Sequence, residues 1–272
     1  MSTTSSAVQA PAGTIRARKA GFLADMASVA GRALRSIPRE PESVIPALIV
    51  PVFFFVVNIG SLQDLAEQLP GLDFKAFQLP VAIIFAVTGV SRAGTLVTDI
   101  QSGYFDRLLM TPVSRTSLLL GLMVADFALV VALSIPVVIL GLAVGVTFET
   151  GVLGMLAFLL LAGAWGVVFT GFPYAIALKT GSPAAVNSSF ILFFPFAFLT
   201  TSFLPREALT GWLSTVAGYN PVTYLLDGLR VLVSTGWEGE ALLEAIAAVA
   251  AVGVVSLSLA FAALRGRVSQ GD

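Results

Sequence analysis

The chain contains no cysteine and no histidine. Without cysteine there is no disulfide framework and no thiolate nucleophile, which fits a bacterial inner membrane. Without histidine, the commonest general base and the commonest transition-metal ligand are both missing. Lysine is scarce as well: Lys19, Lys75 and Lys179 are the only three. A phosphate-cradling loop needs glycine and lysine followed by serine or threonine. Only Lys179 precedes such a residue, and Leu178 stands where the glycine is required. No ATP hydrolysis, bound cofactor or metal is therefore expected of this chain. Charge is thin too, at 11% of 272 residues, against about 25% in an ordinary soluble domain. The net charge of -1 gives no reason to expect a nucleic-acid partner.

What fills the chain is apolar surface: 57% of residues are hydrophobic and the mean hydropathy is +0.93. Too few charges remain to coat a water-facing surface, so the composition reads as an all-α polytopic membrane protein. The first 40 residues hold no apolar core of signal-peptide length, so no cleaved signal is expected. A bilayer span needs about 20 apolar residues. Six segments qualify, at roughly 43–62, 79–99, 116–145, 151–178, 183–204 and 241–264. With the N-terminus inside, 11 basic residues fall in inner segments and 3 in outer ones, with Arg92 inside a span. That bias predicts both termini inside. Before the first span, Phe22, Met26, Val29, Ala33 and Ile37 recur at helical spacing. Residues 1–40 then read as a cytoplasmic tail with an amphipathic helix on the inner leaflet, and 41–272 as the membrane domain.

Between the second and third spans lies "GYFDRLLMTPVSR". Ser102 can cap a short helix there; Tyr104, Phe105, Leu108 and Leu109 line one side of it, and Asp106 and Arg107 lie off that stripe. Pro112 disfavours helix at Thr111 and Ser114 can cap the next span. Such a helix suits docking into a partner's groove, or it packs on its own bundle as a connector; spacing permits either.

At these residues a family resemblance enters. "SGYFDRLLMTPVSRTSLLLG" resembles the cytoplasmic loop of type-2 ABC exporter permeases of the daunorubicin-resistance kind, whose pattern runs G-x-[FL]-[DE]-R-L-L-x-[ST]-P-[VI]-S-R. "FLPREALTGWLSTVAGYNPVTYLLDGLRVL" resembles that family's outer region between spans five and six. The resemblance implies two six-span permease subunits, as homodimer or heterodimer, served by two cytoplasmic ATPase subunits that hold ATP and magnesium. It assigns a coupling helix at about residues 101–112 to Gly103, Tyr104, Phe105, Asp106, Arg107, Leu108, Leu109 and Pro112, seated in the ATPase. An amphiphilic drug, antibiotic or lipid would be moved outward.

Ionisable groups inside a bilayer are costly and tend to pair. Arg92 and Asp126 each lie about 15 Å along a helix from the loop, on consecutive spans, and are expected to pair or to share a water-filled cavity. In the fifth span, Phe190, Phe194 and Phe198 form one face, with Asn187 toward the inner end. That face either lines a substrate pathway or packs against lipid or a second subunit. In the outer region at about 205–236, Asn220 and Pro221 read as a cap and a first helical residue, and Asp227 and Arg230 sit at i,i+3. For these four the family resemblance implies an outer gate of short re-entrant helices; a plain surface hairpin is the alternative. Glu238, Glu240 and Glu244 read as a helix start rather than a metal site. An ion- or proton-coupled carrier using Asp126, or an intramembrane enzyme, are the competing classes.

Overall fold

A computed structural model describes residues 21–39, 41–66, 71–111 and 113–269. The basic residues Arg16, Arg18 and Lys19 of the tail, and Pro112 of the loop, lie outside the described residues, as do the side chains of Leu109 and Phe190. Among the described residues every regular element is helical. In chain order these are α1 (Phe22–Ser36), α2 (Pro41–Ala66), α3 (Phe74–Thr88), α4 (Ala93–Gln101), α5 (Tyr104–Leu109) and α6 (Arg115–Ala143). They continue as α7 (Gly151–Thr180), α8 (Pro183–Ser188), α9 (Phe193–Phe198), α10 (Gly211–Tyr219), α11 (Pro221–Ser234) and α12 (Gly239–Ser269).

Among the described residues, five stretches are long and apolar enough to cross a membrane: Val44–Asp64, Phe74–Gln101, Arg115–Ala143, Gly151–Thr180 and Gly239–Ser269. The segment expected as a single span at 183–204 is instead broken: α8, a 3-10 turn over Ser189–Leu192, then α9. Pro195 has no backbone N–H to give, and Ser188 and Ser189 turn their hydroxyls onto Ala184 O and Val186 O, so the regular ladder is not sustained there. The second span is also interrupted. Gly89 ends α3, and α4 resumes after Arg92.

The bundle has two ends. At one, α1 lies along α6, the ends of α4, α7 and α12 meet, and α5 is attached. At the other, the start of α3 meets the end of α6 through Lys75 Nζ donating to Val144 O at 3.3 Å, and α10 and α11 close over it. The two ends have separate buried cores, one around Phe105, Leu118, Tyr174 and Leu264, the other around Leu79, Val130, Trp165 and Leu229. Helix α11 is no surface hairpin. Its Val222, Leu225, Leu226, Leu229 and Leu232 are buried against α3, α7 and α12. Trp212, Tyr219 and Trp237 stand exposed at that end, where ring and polar tip suit a membrane–water boundary.

Helices in a bilayer gain little from hydrophobic exclusion and associate through close packing at small residues. Gly171 on α7 is such a contact: a Cβ there would stand 2.6 Å from the carbonyl carbon of Ser256 on α12. The Ser256 hydroxyl crosses the same seam to Val168 O. Gly171→Ala is therefore expected to force α7 and α12 apart and cost about 1–3 kcal/mol, read as a lowered thermal midpoint in detergent. Gly60→Ala, where a Cβ meets nothing within 4 Å, is the control and leaves the midpoint unchanged or slightly higher.

Candidate functional site

The loop between the second and third spans is built on one glycine. Helix α4 runs on to Gln101, so Ser102 becomes its C-cap rather than the cap of the next helix. Gly103, at φ +68, turns the chain into α5, a conformation that costs a side-chain-bearing residue energy and glycine none. Ser114 does cap α6, its Oγ accepting from Ser117 N at 3.2 Å.

Phe105 and Leu108 of the α5 stripe face inward. Phe105 is 3% exposed among Leu96, Leu118 and Leu122, and Leu108 packs beside it. This differs from the expectation that Phe105 and Leu108 form a free docking face. The physical reason is length: six residues cannot hold a helix unaided, so α5 is ordered by burying its stripe in the bundle. What it shows outward is Asp106, Arg107 and Met110, the last 80% exposed. Helix α1 clasps this corner. Arg32 donates to Asp99 Oδ2 at 2.8 Å, and its guanidinium lies 5.0 Å from the Tyr104 ring centroid.

Arg92 and Asp126 are brought together at the break between α3 and α4. The Arg92 backbone N–H donates to Asp126 Oδ1 at 2.9 Å, while Tyr174 of α7 donates its hydroxyl to Oδ2 at 2.6 Å. The Arg92 guanidinium reaches α1, giving Nη2–H to Ala33 O at 2.6 Å and to Ser36 Oγ at 2.8 Å. All three residues of this hub are buried, and together they tie α1, α4, α6 and α7. Tyr174 was not singled out in the sequence. The available signal was a lone tyrosine hydroxyl in an apolar span, a group that needs a partner.

At the other end, Asn220 caps α11 by accepting from Val222 N at 3.0 Å. Its amide collects the carbonyls that α9 leaves open: Phe196 O at 3.0 Å and Leu199 O at 2.8 Å. Pro221 follows as the first helical residue. Arg230 meets Asp227 at 3.3 Å, donates to Thr201 O at 2.7 Å and lies 3.7 Å over the Phe77 ring. Burial raises the Asp227 carboxyl above its ordinary range, against the pull of Arg230. Along the broken segment, Phe194 and Phe198 stack at 5.8 Å and stay partly exposed, as does Asn187. Phe193 turns inward instead, edge-on to Phe85 and Phe169.

Removing the carboxylate by Asp126→Ala leaves the Arg92 amide and the Tyr174 hydroxyl without an acceptor in apolar surroundings. A loss of about 1–3 kcal/mol for each unpaired donor is expected, against roughly 1 kcal/mol for Tyr174→Phe. Unfolding titrations in mixed micelles would rank them. Equal stability of Asp126→Ala and the parent would show that the hub does not hold the four helices.

A daunorubicin resistance ABC transporter permease protein of Streptomyces coeruleorubidus is 26% identical over 212 residues, covering 74% of this chain and 72% of that protein. A probable doxorubicin resistance ABC transporter permease protein of Mycobacterium tuberculosis is 24% identical over 213 residues, covering 77% and 76%. A putative transport permease of Cyanophora paradoxa is 24% identical over 223 residues, covering 78% and 75%. The family model for ABC-2 type transporters matches residues 26–233. That span takes in the clasp of α1, the α5 corner, the Asp126 hub and the closing helix α11, and the chain belongs to the ABC-2 type transporter family.

Proposed function

We propose that this protein is the permease subunit of an ATP-driven exporter that moves an amphiphilic molecule, a drug, an antibiotic or a lipid, outward across a bacterial inner membrane. The observation that carries this reading is the family match over residues 26–233, taken with the names of the relatives in Streptomyces and Mycobacterium. In this reading the α8–α9 segment supplies a sixth crossing, since Gln101 Nε2 bonds Gly181 O before it and Gln78 Nε2 bonds Ser202 O after it. Both termini are inside, as the bias of basic residues favours. Two copies, or one copy and a related permease, pair around the path. Two ATPase subunits dock on the inner end.

The working parts follow from the contacts. The ATPase grips α5 from outside through Asp106, Arg107 and Met110. Phe105 and Leu108 root α5 in the bundle, so a push on it is delivered to α4, α6 and α1. The Arg92–Asp126–Tyr174 hub carries that push to α7. Asn220, Pro221, Asp227 and Arg230 hold the outer end shut by tying α11 to the end of α9. The exposed faces of Phe194 and Phe198 offer flat apolar surface to an amphiphilic molecule. A carrier that worked on protons alone would need water at Asp126, and that carboxylate is fully buried behind its two donors.

Two tests follow. Arg107→Glu with Met110→Ser alters only exposed positions, so the thermal midpoint is expected to hold while capture of the cognate ATPase falls at least tenfold. Phe105→Ala is expected to lower the midpoint and to weaken stimulation of the ATPase more than its capture. Retained capture in the first variant would move the docking surface off α5. Because the chain has no cysteine, Met110→Cys and Trp237→Cys report topology cleanly: in sealed cells an impermeant maleimide labels the second and not the first.

A further inference from the structure

Helix α6 packs along α1, α3 and α7, and α12 packs along α7 and α11. Between the start of α6 and the end of α12 an open cleft of about 380 Å³ remains. Its lining is two-sided. Arg115 and Arg265 stand exposed at its mouth, and Phe261, Leu264 and Val268 floor it. Phe261, Leu264, Arg265 and Val268 recur at i, i+3, i+4 and i+7 along one face of α12, so one helix carries a cation and an apolar strip side by side. Among the described residues neither arginine forms an ion pair. On the α6 side, Asp25 accepts from Ser114 N at 3.5 Å, and among the described residues no carboxylate lines the cleft. The start of α6 adds the positive end of its own dipole.

We propose that this cleft seats an anionic phospholipid of the surrounding bilayer. Arg115 and Arg265 hold the headgroup phosphate, and one acyl chain lies along Phe261, Leu264 and Val268. Charge and depth together select this occupant. Two unpaired guanidiniums call for an anion, and Arg is the side chain suited to phosphate. The apolar floor lies on a membrane-crossing stretch, Gly239–Ser269, so the cleft opens where headgroup and acyl chain meet. A soluble anion would make no use of that floor. A protein partner gripping α5 approaches Asp106, Arg107 and Met110, none of which lines the cleft. The lipid would brace α12 against α6, which otherwise meet chiefly through α7.

Native mass spectrometry of the full chain in detergent, titrated with phosphatidylglycerol or with phosphatidylcholine, tests this. It requires neither the ATPase nor a particular threading of the chain, so it stands or falls separately from the exporter reading. The parent is expected to retain one phosphatidylglycerol in preference to phosphatidylcholine. Arg115→Gln with Arg265→Gln is expected to weaken that binding roughly ten- to thirty-fold. Lys179→Gln, a cation at the same end but outside the cleft, leaves it unchanged. Phe261→Ser with both arginines kept is expected to weaken phosphatidylglycerol binding too, whereas a plain anion site would not respond. Equal retention of the two lipids, an unaffected double variant, or displacement of the lipid by millimolar inorganic phosphate would each overturn the proposal. So would a double variant that loses ATPase capture while keeping its lipid.

Discussion

Where a helix breaks inside an apolar bundle, its open carbonyls and amides have no water to turn to. Among the described residues, this constraint accounts for the buried side chains that reach from one helix to the broken end of another. At the break between α3 and α4, Asp126 accepts the freed Arg92 amide. Where α9 ends, Asn220 and Arg230 gather the carbonyls of Phe196, Leu199 and Thr201, and Gln78 takes that of Ser202. Where α7 ends, Arg267 donates to Leu178 O and Gln101 to Gly181 O. These side chains are stitches across discontinuities, whereas Ser134 and Thr170 bond carbonyls of their own continuous helices.

The stitches are also joints. A continuous helix resists bending, because bending opens its own ladder. A broken one, held by side chains from a neighbour, can reorient by exchanging those contacts. The second span and the α8–α9 segment are the interrupted ones, and both interruptions are held by residues from other helices. The hub lies nearer the α5 end and the Asn220–Arg230 ties lie at the opposite end. Motion of α5 therefore reaches the first directly, through α4, and the second only through the packed helices α3, α7 and α11 between them.

Local pattern in the sequence shows what is local in the structure. The runs of apolar residues give the five membrane-crossing stretches, Ser114 and Asn220 cap the helices they precede, and Asp227 meets Arg230 across three positions. Arg92 and Asp126 are expected together because cost inside a bilayer demands a partner; they meet through the Arg92 backbone amide, while the guanidinium turns to α1. The partner Tyr174, 48 residues from Asp126, and the Arg32–Asp99 clasp, 67 residues apart, were out of reach. Such pairs depend on how helices are arranged, and no periodicity encodes that. The two breaks were missed for a different reason. Each break lies within a longer run that is apolar overall, so averaging along the chain conceals a local change of backbone geometry.

The inward stripe of α5 shows the same limit and also resolves it. Periodicity gives the apolar face of a six-residue helix but not the body it is pressed against. Had Phe105 faced outward, α5 would have been a sticky peptide on two tethers, ordered only when a partner arrived, and binding would have carried the cost of ordering it. With Phe105 buried and Arg32 laid over Tyr104, that cost is met within the subunit. The exposed trio of Asp106, Arg107 and Met110 is then presented already shaped. A rigid handle transmits displacement, whereas a flexible one absorbs it. In the exporter reading proposed above, burial of Phe105 is what a coupling element requires: the connector reading describes its inward face and the docking reading its outward one.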